Sequence, residues 1–176
     1  MANKEALRDL QSRLAERLHA ARNEAAAAAW LAVQVGQNGY LLPLGQSGEI
    51  FPVAATTAMP YSQPWMLGVV NLRGGLYSVV DLAGFINSAQ TAARSEQAWA
   101  QARLVTFNPE LEINCALVVD ALVGLRRQDA FAGVVSMPEG MPDYFGQRLV
   151  DVKGVSWQEL NLQTLAQNAG FLSVGL

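Results

Sequence analysis

The chain has 176 residues, 51% of them hydrophobic and 15% charged, with a formal net charge of −3. That length suits one ordinary domain able to bury roughly 70% of its unfolded surface; the apolar content excludes global disorder, and the acidic balance argues against a nucleic-acid or anionic-membrane surface. A single cysteine, Cys115, excludes a disulfide framework or a cysteine metal cluster within one chain and fits a reducing, cytoplasmic compartment.

Residues 4–29 read as a helix. Leu7, Leu10, Leu14, Leu18, Ala21 and Ala25 recur every three or four residues and line one face, and the alanines at 25–29 favour helix by propensity. That stripe suits packing on the chain's own domain or a partner-facing, coiled-coil seam. Nine charges in the first 24 residues leave no apolar core for a signal peptide. The uncharged stretch 25–48 holds Gln34, Gln37, Asn38 and Pro43, which would strand polar groups in hydrocarbon. The chain therefore divides into a helix at 1–29 and a β domain at 30–172.

The β domain opens with a strand at 30–35, a hairpin signal at Gln37-Asn38-Gly39 and a return strand at 40–44. A strand at 49–53 follows, and Pro52, Pro60 and Pro64 break the next stretch into loop. Strands at 65–72 and 75–80 flank Arg73-Gly74. Residues 81–87 read as one or two helical turns that Asp81 can cap, and 91–101 as a linking loop or short helix. The second half repeats the style, with strands at 103–108, 113–120, 122–127, 134–137 and 147–152. Lys153-Gly154 is a tight turn. The tail fits either a helix begun by the Ser156–Glu159 capping box or a strand at 155–160 with a short helix at 163–168. The strand is preferred, because 147–152 needs a partner. Many short strands at this spacing imply a barrel or sandwich.

Charge is distributed unevenly. Residues 25–93 carry only Glu49, Arg73 and Asp81, and the remaining 24 charges lie outside. A surface with so little charge is cheap to desolvate and suits contact with another protein. Arg73 sits at a turn tip, where its guanidinium offers five donors in a rigid fork, and Gly74 permits a positive φ and close approach of another backbone. Glu49 is a rim contact or an inert surface charge.

Catalytic chemistry finds no support. The one histidine, His19, lies in the N-terminal helix, Cys115 reads as a small buried hydrophobe, and Glu110 and Glu112 flank a turn as solvated charges. Arg126-Arg127 is too short for nucleic acid, and Gly74-Gly75 lacks the Lys-Ser/Thr partner of a phosphate loop.

The run Pro60-Tyr61-Ser62-Gln63-Pro64-Trp65-Met66-Leu67-Gly68-Val69-Val70-Asn71-Leu72-Arg73-Gly74, continuing to Val80-Asp81-Leu82, resembles the CheW family of chemotaxis-type adaptors. Val118-Val119-Asp120-Ala121-Leu122-Val123-Gly124 resembles the family's second-half strand pair. The likeness spans about residues 30–170, and the leucine–alanine helix is similar to the variant serving type IV pilus twitching motility. The resemblance implies a mainly β fold of two intertwined five-stranded SH3-like barrels, with an N-terminal helix and a short C-terminal helix. It implies no enzymatic activity and no cofactor. It implies partners instead: the regulatory domain of a CheA-type histidine kinase and the cytoplasmic tip of methyl-accepting chemoreceptors. Membrane arrays are then reached through those partners rather than by insertion. The motif residues it carries over to partner binding are Glu49, Gly68, Asn71, Arg73 and Gly74. Two positions depart from the pattern: Ser78 stands where a proline is usual, and Phe51-Pro52 follows Glu49-Ile50 where a basic residue is common. Flagellar output, a small-ligand β-barrel and self-association through the N-terminal helix are the other readings.

Overall fold

The computed structural model describes residues 2–27, 29–87 and 93–176, and, in the first stretch, the side chains of 7–20. Ala21 and Ala25 of the expected stripe, and residues 91–92 of the expected linker, lie outside that description. Helix α1 covers Ala2–Ala27. The strands follow as β1 (Trp30–Val35), β2 (Asn38–Pro43), β3 (Ser47–Pro52), β4 (Met66–Leu72) and β5 (Gly75–Asp81). After the short helices α2 (Leu82–Ile86) and α3 (Glu96–Gln101) come β6 (Arg103–Phe107), β7 (Cys115–Val119) and β8 (Ala121–Arg126). Strands β9 (Phe131–Val135), β10 (Phe145–Asp151) and β11 (Ser156–Leu160) lead into helices α4 (Leu162–Gln167) and α5 (Ala169–Leu172).

These strands make two sheets, ordered β8-β1-β2-β11-β10-β9 and β3-β6-β7-β5-β4. The chain begins in the first sheet, builds the whole second sheet from β3 to β7, and returns to finish the first. The two units are thus intertwined, and the returns create the parallel pairs β2–β11 and β5–β7. The first sheet holds six strands instead of the expected five, because β8 and β9, consecutive in sequence, pair at its opposite edges.

The first hairpin turns one step earlier than Gln37-Asn38-Gly39 suggests. Val35 pairs with Asn38, and Gly36 takes the positive φ of 59°. Gly39 is needed inside the strand instead, since a Cβ there would fall 2.6 Å from the Trp157 ring. The tail resolves as the strand β11 followed by α4, with Asn161 capping that helix through the Thr164 N–H at 3.0 Å. Helix α5, not expected from the sequence, is capped by Asn168 through the Phe171 N–H at 3.1 Å.

Side-chain alternation sorts the core. On β6 and β7, Val105, Phe107, Leu117 and Val119 face a cluster shared with Leu31, Val33 and Leu42 of the first sheet. Leu104, Ala116 and Val118 face a second cluster with Val70, Leu72 and Val79. Burial on both faces explains why 115–119 is an unbroken apolar run. Phe171 plugs the shared cluster, stacking on Trp65 at 6.2 Å and Phe107 at 5.9 Å, with Phe85 edge-on at 5.1 Å. Such pairs contribute about 0.5–1.5 kcal/mol each beyond area burial.

Asp81 is not the helix cap its position suggests. It makes no side-chain capping bond to α2, because its carboxylate is taken by Arg94. Ser78, the departure from proline, uses its N–H to bond the Asn114 carbonyl at 2.9 Å, a bond proline could not make.

Candidate partner-binding site

The β4–β5 hairpin turns on two residues, Arg73 and Gly74, with Leu72 paired to Gly75. Both have positive φ, 50° and 84°. This type I′ geometry matches the hairpin twist and favours Asn or Gly. An arginine at the first position costs roughly 1–2 kcal/mol of backbone strain. The Asn71 side-chain oxygen accepts the Gly74 N–H at 2.9 Å and fixes the tip. Asn71 and Gly74 therefore shape the turn, and Arg73 is the side chain it presents.

Glu49 lies on β3, at the opposite edge of the same sheet. The β3–β6 register shifts between Ser47 and Ile50, leaving a bulge. Buried Thr106 fills the gap: its hydroxyl accepts the Glu49 N–H at 2.8 Å and donates to the Glu49 carbonyl at 3.2 Å. Bulges re-aim side chains, and this one sends the Glu49 carboxylate to the hairpin tip. Arg73 Nη1 reaches Glu49 Oε2 at 3.0 Å, with the side chains 74% and 56% exposed. The guanidinium also lies over the Phe51 ring, 5.7 Å from its centroid, so the aromatic residue in place of a usual base supports Arg73 from below. A cavity of about 110 Å³ beside the pair is lined by Gly48, Glu49, Phe51, Leu72, Arg73 and Tyr77.

The magnitudes decide what this pair does for the fold. An exposed ion pair contributes about 0–1 kcal/mol and an exposed cation–π contact about 0.5–1 kcal/mol. Together they offset the turn strain and little more. Two of the three charges in residues 25–93 thus form one exposed ion pair, and the third, Asp81, is buried.

Gly68 occupies different ground. It is buried in β4 with a φ of 134°, and a Cβ would lie on the Thr57 carbonyl oxygen. There the loop after β3 crosses β4, bridged by Thr57 N–H to Val69 O at 2.8 Å and Val69 N–H to Thr57 O at 2.9 Å. The bridge and the Arg73–Glu49 pair both draw the two edges of the five-stranded sheet together.

Arg94 was silent in the sequence. Its fork donates to Asp81 at 2.7 and 2.9 Å and to Asp120 at 2.6 Å, and it lies over the Trp99 ring at 4.9 Å. Burial works against its charge, but hydrogen bonds to the two carboxylates more than reverse this and hold it firmly protonated. Asp120 also accepts the Gly36 N–H. The cluster therefore ties β5, the β7–β8 crossover and the β1–β2 turn, joining both sheets. The available signal was a basic residue closing a long neutral run, with an aspartate ending an apolar strand.

A groove of about 350 Å³ lies between the β1–β2 hairpin, α2 and the segment entering β10, lined by Val35, Tyr40, Ile86, Met141 and Phe145 among others. Burial holds the Tyr40 and Tyr144 phenols above their ordinary pKa, so both keep their protons. Cys115 is buried mid-strand, and burial pushes its thiol up to about 12. His19 is exposed on α1, and Glu110 and Glu112 are exposed at the turn before β7, far from it in the chain. Among the described residues no cluster of three or more His, Cys, Asp or Glu could hold a metal, and no helix is long and apolar enough to cross a membrane.

Residues 29–168 match the CheW-like domain model, so the chain belongs to the CheW-like family of scaffold proteins. That family in general couples chemoreceptors to CheA kinase and is generally non-catalytic. The chain is 26% identical to Protein PilI of Pseudomonas aeruginosa over 169 residues, covering 93% of this chain and 89% of that protein. It is 38% identical over 53 residues to a probable chemotaxis protein CheW of Rhizobium etli, covering 30% of this chain and 34% of that one. The fold matches the crystal structure of the scaffolding protein TtCheW from Thermoanaerobacter tengcongensis, with a TM-score of 0.64 and 16% identity over 82% of this chain and 95% of that one.

Proposed function

We propose that this chain is a non-catalytic adaptor that holds a CheA-type histidine kinase, through its regulatory domain, against the cytoplasmic tip of a methyl-accepting chemoreceptor. It works without cofactor or metal, in the cytoplasm, and reaches membrane arrays through those partners. The similarity to PilI over 93% of the chain supports a pathway controlling type IV pilus twitching motility over a flagellar one. The observation that carries the reading is the exposed Arg73–Glu49 pair, held on a strained turn in a half of the sequence that is otherwise without surface charge. Its energetics suit presentation and not stability. Arg73 and Glu49 meet the partner, Asn71 and Gly74 keep the tip in shape, and Gly68 sets the sheet edge from which it projects. Weak contacts of this kind gain strength in an array through effective concentration.

The test is a pull-down of the cognate kinase and receptor fragment with wild type, Arg73→Ala, and the exchange Arg73→Glu with Glu49→Arg. Arg73→Ala is expected to weaken capture by about tenfold or more while the thermal midpoint stays within a few degrees of wild type. Capture at the wild-type level by Arg73→Ala would overturn the assignment.

A further inference from the structure

Two buried tyrosines carry hydroxyls that bond nothing in the protein. Tyr40 and Tyr144 are 6% and 7% exposed, and neither phenol has a hydrogen-bond partner among the described residues. Every fully buried side-chain nitrogen or oxygen there does have one, so these two hydroxyls open onto space. Both rings line the groove beside α2. Phe145 fixes them, stacking on Tyr40 at 6.3 Å and meeting Tyr144 edge-on at 4.9 Å. A buried hydroxyl without a partner is costly, and these two are held ready for one.

Arg148 supplies a charge. Strand register sets Tyr40, Gln158 and Arg148 in one row across β2, β11 and β10, and residues paired in this way share a face of the sheet. The Gln158 side-chain oxygen accepts the Arg148 Nε–H at 3.3 Å, while its amide donates to the Gly146 and Glu159 carbonyls at 3.1 and 3.0 Å. The guanidinium is thus anchored by Nε alone, and its two terminal nitrogens have no partner among the described residues. The other half-buried arginines are occupied: Arg94 by two carboxylates, Arg103 by the carbonyls ending α3, and Arg126 by the Leu125 carbonyl and the Trp157 ring. The open fork of Arg148 lines a second lobe of about 310 Å³. Both lobes are lined by Asn38, Tyr40, Ile86, Met141 and Phe145. They form one groove, with a cation in one lobe, a phenol in the other and apolar walls between.

These groups define the ligand's chemistry. One guanidinium fork matches one carboxylate, whereas a phosphate dianion would bring two charges to a single cation. Asp143, next to Tyr144, is exposed and accepts the Asn168 amide at 3.2 Å, so the negative end of a ligand belongs at Arg148. Ile86, Met141 and Phe145 suit an apolar body. The size and concavity of the groove are those of a small-molecule site. We infer that it binds a small amphipathic carboxylate, with the carboxylate on Arg148 and the Tyr40 hydroxyl and the apolar body along Ile86 and Met141. The groove shares no residue with the Arg73 tip and stands without the adaptor reading.

The experiment titrates 4-phenylbutyrate and its neutral counterpart 4-phenylbutyramide into the full chain by isothermal calorimetry. The acid is expected to bind at least about tenfold tighter than the amide, less so as salt rises, and to raise the thermal midpoint once its concentration exceeds Kd. Arg148→Met is expected to bring the acid down to the level of the amide. Arg148→Lys is expected to keep part of the difference, because an ammonium lacks the fork. Arg148→Met also takes a donor from Gln158, so Tyr40→Phe serves as the variant that stays folded. It is expected to weaken the acid by about threefold or more at an unchanged thermal midpoint, since the lost hydroxyl bonds nothing in the protein. Equal affinity for acid and amide overturns the proposal, as does acid binding that Arg148→Met leaves untouched, or no acid binding up to about 10 mM. It is equally overturned if the chain ignores 4-phenylbutyrate but binds a hexaglutamate peptide through Arg148, which would make the groove a protein-docking surface.

Discussion

Replacing Arg94 with alanine removes the one cation from between two carboxylates. Its side chain is 10% exposed, that of Asp81 11% and that of Asp120 27%, and three bonds of 2.6–2.9 Å vanish together. The lost attraction matters less than the carboxylate left behind. Truncating one partner of a buried pair costs about 3–5 kcal/mol, because the remaining charge stays desolvated. Loss of the contact with the Trp99 ring adds to this. At about 2–4 °C per kcal/mol for a chain of this size, the thermal midpoint is expected to fall by roughly 6–20 °C. Urea unfolding followed by circular dichroism gives the free energy directly, provided the slope with denaturant is unchanged. Arg94→Lys is expected to lose less than Arg94→Ala but clearly more than nothing, because a point charge cannot reproduce the fork to two carboxylates. A loss below about 1 kcal/mol for Arg94→Ala would place the cluster with ordinary surface ion pairs and refute its role as the clamp between the sheets.

Two further expectations rest on separate contacts. Gly68→Ala forces a side chain onto the Thr57 backbone at a φ of 134°. It is expected to cost about 1–3 kcal/mol and to weaken partner capture as it destabilises the fold, whereas Arg73→Ala weakens capture alone; a thermal scan beside the pull-down separates the two. Asp151 accepts the Trp157 indole N–H at 3.0 Å and the Val155 and Lys153 N–H groups at 3.0 and 2.9 Å, and the indole bond first, then the backbone bonds, lower its pKa from 3.8. A carboxylate lowered on folding stabilises above its unfolded pKa, and that stability is lost as pH falls through the folded value. Wild type is therefore expected to lose more stability than Asp151→Asn as pH drops below about 3.8, read from urea midpoints across the acid range; parallel curves would refute it.

Local chemistry made much of this molecule legible. The hairpin tip at Arg73-Gly74 follows from a glycine beside alternating apolar residues, and the β10–β11 hairpin follows from Lys153-Gly154 and an unpaired strand. The first turn was misplaced because Asn38-Gly39 is a good local turn, and only the Trp157 ring, 118 residues on, requires Gly39 to lie flat in a strand. The same distance problem hid the site's wiring. Glu49 and Arg73 meet only when the sheet curls its edges together, and Thr106 aims Glu49 from 57 residues away. Asp81 looked like a cap because a short helix follows it, and Arg94 outcompetes that weak local bond with a charged one. The resemblance marked Gly68 for partner binding, but the Thr57 carbonyl that requires a glycine there lies on a loop whose path the sequence does not show.

Co-sedimentation shows whether this chain joins a kinase to a receptor. Receptor-bearing membranes and the CheA-type kinase of the same organism are spun with and without the purified chain. The kinase is expected to pellet only when the chain is present, and to do so less with Arg73→Ala. A kinase that stays in the supernatant at saturating chain, or pellets equally without it, would show that the chain does not bridge the two.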